Sequence, residues 1–212
     1  MEYVIFEPWV GEFYYEKGYG DKKILILGES HYCKWECAGC GDTKAECCPD
    51  MTNKVINNYL NYKNGKGKFN SSMNTFTRFT NVFLGEKCNN ENVNNFWNSI
   101  VFYNYVQRGL KEPRSSPTPE MFKQSEDAFF EILNEFTPDI IIAWGERLAK
   151  NMPDNGYSAD KSILGDEQNG KLYYYKGKTK DILIYYIPHP SSSYFDKKYT
   201  KYLKEAMKII KE

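Results

Sequence analysis

Four apolar runs punctuate the chain. Ile24-Leu25-Ile26-Leu27, Ile140-Ile141-Ile142-Ala143-Trp144 and Ile182-Leu183-Ile184-Tyr185-Tyr186-Ile187 are continuous, and Ile100-Val101-Phe102-Tyr103-Asn104-Tyr105-Val106 is interrupted by one amide. Runs of this length without polar alternation predict strands buried on both faces, as in the middle of a parallel sheet covered by helices. Helical spacing separates them, over Thr52 to Tyr62, Asn74 to Leu84, Asn94 to Ser99, Glu146 to Asn151 and Phe195 to Ile210. Thr118 and Pro119 suit the cap and first turn of a further helix running to about Phe136. Tyr3 to Trp9 alternates loosely and reads as an edge strand or a lead-in segment, and Leu172 to Tyr175 adds a strand before the last run. Strands alternating with helices predict a three-layer α/β/α sandwich with a mostly parallel central sheet.

The polar residues that end these runs carry the candidate chemistry. Gly28-Glu29-Ser30-His31-Tyr32 follows the first run, and Pro188-His189-Pro190-Ser191-Ser192-Ser193 follows the last. Both histidines of the chain therefore stand just beyond a buried strand, where open α/β sheets place their ligands. Asn104, inside a buried strand, needs partners for a carbonyl and two amide hydrogens. It either satisfies backbone locally or faces a ligand. Phe76, Phe79 and Phe83 recur at three and four residues, the spacing of a core-facing stripe.

Composition narrows the classes. At 212 residues the chain is long enough for one well-buried core, and a single domain over 1–212 is expected, with an insertion at about 33–50. Lysine plus arginine and aspartate plus glutamate both number 28, so no global field drives the chain onto nucleic acid or an acidic membrane. Contact with phosphates would come from local lysines such as Lys63, Lys66, Lys68, Lys197 and Lys198, whose usual meaning is a solvated face. Glu2, Glu7 and Glu12 make the first residues unlike a signal peptide, and no run approaches a membrane span. A cytoplasmic monomer with no membrane partner is expected, with its six cysteines reduced. The 17% aromatic content leaves stacking on a nucleobase open.

Five of the six cysteines cluster in Cys33-Lys34-Trp35-Glu36-Cys37-Ala38-Gly39-Cys40 and Cys47-Cys48. Clustered thiolates suit a soft metal, so Cys33, Cys37, Cys40 and Cys47 are candidate zinc ligands. Reduced cysteines without metal fit the same spacing. The spacing of Cys33, Cys37 and Cys40 also resembles the cluster motif of radical SAM enzymes, though Gly39 stands where that motif has an aromatic. A Cys-metal enzyme is accordingly one alternative function.

The ordered set of strand ends resembles the uracil-DNA glycosylase superfamily over nearly the whole chain. Gly28-Glu29-Ser30-His31-Tyr32 occupies the place of its first motif, His189-Pro190-Ser191 matches its second, and Asn104 stands where the family has a base-reading Asn. Pro117-Thr118-Pro119-Glu120, leading to Pro138-Asp139-Ile140-Ile141-Ile142-Ala143-Trp144-Gly145, is similar to the connection in the iron-sulfur branch. That branch's N-terminal cysteine pair is absent, and no cofactor is implied as required. The resemblance implies hydrolysis of the N-glycosidic bond of uracil or a related deaminated base flipped out of single- or double-stranded DNA. It implies catalytic roles for His189, which would stabilise the departing base, and for Glu29 and Ser30 beside the water, where Glu29 would take over from the missing carboxylate or the backbone would position the water. Gly28, His31, Tyr32, Asn104 and one of Phe76, Phe79 or Phe83 would line the base pocket, and Ser191, Ser192, Ser193 and Tyr194 would meet the DNA. Ser30 replaces the carboxylate of the best-known branch. A member that binds a nucleobase, nucleotide or nucleic acid without cleaving it is therefore the other reading.

Overall fold

The structure, a computed structural model, describes residues 1–32, 49–112, 115–158 and 172–210. The four apolar runs become the strands β2 (Ile24–Gly28), β3 (Val101–Asn104), β4 (Ile140–Trp144) and β7 (Asp181–Ile187). They pair in parallel in the order β3-β2-β4-β7. Nearly every residue in them is buried, which is why the sequence shows no polar alternation there.

The edges are antiparallel, so the sheet is mixed rather than mostly parallel. β1 (Trp9–Val10) pairs with β3 on one side. On the other, β6 (Leu172–Lys176) forms a hairpin with β7, and β5 (Tyr157–Ser158) adds to β6. The hairpin closes through the Gly177 N–H bonded to the Lys180 carbonyl at 3.0 Å. A turn this short permits only an antiparallel return. The expected edge strand at Tyr3 to Trp9 shrinks to β1, because the Ile5 and Phe6 N–H groups bond the Gln107 side chain instead of a strand.

Alternate residues of β2 feed two apolar clusters. Ile24 and Ile26 pack with α1 (Met51–Lys63), α2 (Met73–Leu84), α3 (Asn90–Trp97) and α7 (Lys198–Ile209). Leu25 and Leu27 pack with α4 (Pro119–Lys123), α5 (Glu126–Phe136) and α6 (Glu146–Asn151). The first cluster is built largely of rings: Phe76, Phe79, Trp97, Phe102 and Trp144 meet at centroid distances of 4.8–6.1 Å. Burying each ring stabilises the fold by about 2–3 kcal/mol.

The single helix expected from Thr118 to Phe136 is two. Ser125, buried between them, accepts from the Gln107 N–H at 3.0 Å and donates to the Met121 carbonyl at 2.8 Å. A hydroxyl bonded back into its own turn and tied to a neighbouring strand end bends the chain at that point.

Among the described residues no helix is long and apolar enough to cross a membrane.

Candidate functional site

Parallel pairing puts the carboxyl ends of β3, β2, β4 and β7 on one rim. From β2 and β7 the chain continues to the α1/α7 face, and from β3 and β4 to the α4–α6 face. Crevices open where neighbouring strands send their connections to opposite faces. Gly28, Asn104, Gly145 and His189 lie at those ends.

Gly28 pairs with Asn104 in the β2–β3 register. A Cβ on Gly28 would stand 2.1 Å from Asn104 Oδ1, so the missing side chain is what lets the carboxamide lie across β2. On its other side the Asn104 Nδ2 is 3.2 Å from His31 Nδ1 and 3.1 Å from His31 Nε2. Near-equal distances put the amide across the imidazole rather than in line with one nitrogen. His31 Nε2 also meets Thr52 Oγ1 of α1 at 2.9 Å, and the Phe6 ring stands edge-on at 4.9 Å. Only 4% of His31 and 6% of Asn104 is exposed. Burial lowers the His31 pKa to about 4, so the ring is neutral at neutral pH. The Asn104 carbonyl accepts from Gln107 Nε2 at 2.9 Å, while Gln107 Oε1 accepts from Ile5 and Phe6.

The second half of the rim is ionic. Arg147, in α6, donates through Nε to Glu29 Oε1 at 2.7 Å and through Nη2 to Glu29 Oε2. Its Nη1 donates to the Ser116 hydroxyl, so the guanidinium ties the ends of β2 and β4 to the 115–118 loop. Both oxygens of Glu29 are thus engaged by the guanidinium, a bidentate pair that fixes the orientation of both groups. Glu29, expected at the water, holds Arg147 in this structure. Gly145, at φ +105°, turns the chain from β4 into α6.

His189 is half-buried, with the Trp144 ring edge-on at 6.1 Å. Its Nδ1 lies 3.2 Å from the Ser191 N–H and 2.7 Å from the Ser191 hydroxyl. A backbone N–H only donates, so Nδ1 is the accepting nitrogen and the neutral ring carries its proton on Nε2. Burial is the main cause lowering the His189 pKa; Glu29 raises it and Arg147 lowers it.

Comparison with known proteins adds no family. No protein-family model matches the chain, and no curated protein matches it.

The other expected site residues divide. Ser30 is half-buried beside Glu29, and Tyr32 is exposed at the rim, bridging to Leu110. Ser191, Ser192, Ser193 and Tyr194 form a surface loop in which Tyr194 is 77% exposed. Phe79 and Phe83, expected at the base, are buried among Phe96, Phe195, Trp144 and Tyr19. Phe76 is likewise enclosed by Tyr59, Trp97, Phe102 and Trp144. Cys33, Cys37, Cys40 and Cys47 lie outside the described residues. Among those described, no group of His, Cys, Asp and Glu is placed to hold a metal. The sequence reading missed Arg147, Thr52 and Gln107. Arg147 had a signal, since Gly145-Glu146-Arg147 ends a buried strand as Gly28-Glu29 does; Thr52, an ordinary first-turn residue, had none.

Proposed function

We propose that the chain is a uracil-DNA glycosylase-like three-layer α/β/α protein that hydrolyses the N-glycosidic bond of a deaminated base flipped out of DNA. The observation that carries this reading is His189: a neutral imidazole, fixed by Ser191 so that Nε2–H is its free donor, at the end of a central parallel strand. When the C1′–N bond breaks, its electron pair passes to the base, and a preorganised N–H at the base oxygen stabilises that charge. The oxygen of water then bonds C1′ and its spare proton passes to solvent.

Asn104 ends β3, three strand spacings or roughly 14 Å from β7. A base fits between the two side chains, which do not need to touch. His31 holds the Asn104 amide while Gly28 gives room for its carbonyl oxygen. An oriented carboxamide separates a uracil edge from a cytosine edge, whose donors and acceptors are interchanged. Cleavage of a glycosidic bond passes through an oxocarbenium-like transition state, and stabilising the charge on the departing base lowers its barrier. The ion-paired Glu29 and the hydroxyl of Ser30 favour a second reading, recognition of a base without cleavage, in which the same pocket binds and nothing attacks.

Release of free uracil from labelled single- and double-stranded uracil-containing oligonucleotides tests the proposal. His189→Ala should lower the rate by about 10²–10³-fold with an unchanged melting temperature. Release that survives this change would remove His189 from the site. No release of uracil or another deaminated base, with retained binding of the oligonucleotide, would establish the second reading.

A further inference from the structure

The chain is neutral, but its charge is sorted between the two faces of the sheet. α5 carries Glu126, Asp127, Glu131 and Glu135 and no basic residue. α7 and its cap carry Lys197, Lys198, Lys201, Lys204 and Lys208 against one acid, Glu205. α5 packs on the Leu25/Leu27 side and α7 on the Ile24/Ile26 side. All five lysines are exposed.

Lys197, Lys201, Lys204 and Lys208 recur at four, three and four residues and so share one helix face. Tyr199, Tyr202, Leu203 and Ala206 are buried on the opposite face. The four lysines therefore line roughly 16 Å of helix at 1.5 Å per residue, the Lys204 ammonium lying beside Gly85 at the end of α2. Glu205 pairs with Lys201 at 3.9 Å and Asp196 accepts the Lys198 N–H at 2.9 Å, which leaves the row with a net positive charge. The row begins a few residues after the loop that holds His189 and Tyr194.

We propose that this lysine face of α7 is a docking surface for the phosphate backbone of a DNA duplex. The acidic α5 face is turned away from that duplex, and the His189 loop is set against it. The choice of DNA as the polyanion rests on the glycosylase-like reading of the strand-end site; the surface itself does not. A membrane is the poorer fit, because helices that bind bilayers insert an apolar face and that of α7 is spent on the core.

The test is binding of a short undamaged fluorescent duplex, followed by anisotropy across a salt series. Comparison is between the wild-type protein, K197Q/K201Q/K204Q/K208Q and a charge-matched K123Q/K150Q/K176Q/K178Q variant, all with circular dichroism to establish folding. The plot of log Kd against log salt should become shallower by about 3 to 4 in the α7 variant, close to one unit per lost phosphate contact. The control should stay near the wild-type slope. Equal slopes in the two variants, or no salt-dependent duplex binding by the wild type, would overturn the proposal. So would binding to vesicles of equimolar phosphatidylcholine and phosphatidylserine in place of DNA. A wild type that binds the duplex through α7 yet releases no base would leave this surface standing and remove the glycosylase reading.

Discussion

At the scale of single residues, His31 is the clearest case of burial overriding composition. Its sequence position marks it as a ligand candidate, but the fold uses it as a neutral brace between Thr52 and Asn104. The pKa falls from 6.5 to about 4 through desolvation. Between those values the unfolded chain binds a proton that the native chain does not, so stability rises with pH across this window and is lost as pH falls through it. The loss amounts to about 3 kcal/mol. Urea unfolding at pH 7 and near pH 4 should show this difference in the wild type, and His31→Gln should remove that part of it. An unchanged pH dependence in the variant would mean that His31 titrates normally. Gly28 supports a second expectation at this scale. Gly28→Ala would drive a methyl onto Asn104 Oδ1 and displace the carboxamide. Uracil release should fall at least about tenfold while the protein still folds, because what is lost is orientation rather than core. The Gly–Asn pairing was legible only in part: the sequence marks both residues, but which strands are neighbours is decided by topology.

The elements were legible where one physical demand dominated. β2, β3, β4 and β7 are buried on both faces, so their apolar runs announce them, and Glu146–Asn151 forms where its spacing predicts. Boundaries failed where a side chain competed with the backbone. Ser125 divides one expected helix into α4 and α5, and α3 starts at Asn90 because Asn89 accepts the Asn92 N–H at 2.8 Å. The spacing of Phe76, Phe79 and Phe83 announces a core face, and all three are buried there; only the resemblance implies a base-stacking role. α5 ends on Thr137, a β-branched residue at φ +43°, where glycine is the usual occupant. Thr137→Gly should therefore raise the unfolding free energy by about 1 kcal/mol, read as a higher urea midpoint at constant m. A lower midpoint would show that Thr137 makes contacts worth more than its backbone strain.

At the scale of the whole molecule, the rim is assembled from segments far apart in sequence, and one amide joins most of its first half. Gln107 follows β3, receives the N–H groups of Ile5 and Phe6 at 2.8 and 2.9 Å, and donates to the Asn104 carbonyl at 2.9 Å. Phe6 in turn packs on His31, whose neighbour is Asn104. A long-range junction of this kind leaves no local trace, because a polar residue after a strand reads as the start of a loop. Gln107→Met keeps the length of the side chain and removes every one of these bonds, leaving two backbone donors without their acceptor. Each such orphan costs about 1–3 kcal/mol, so a loss of about 3 kcal/mol and a fall in Tm on the order of 10 °C are expected. The location of the loss matters as much as its size. Hydrogen exchange should quicken at Ile5, Phe6 and the end of β3, whereas β4 and β7, joined by their own ladder, should lose protection only with global unfolding. If the N-terminal segment kept its protection in the variant, packing of Phe6 rather than Gln107 would be what fastens it to the rim.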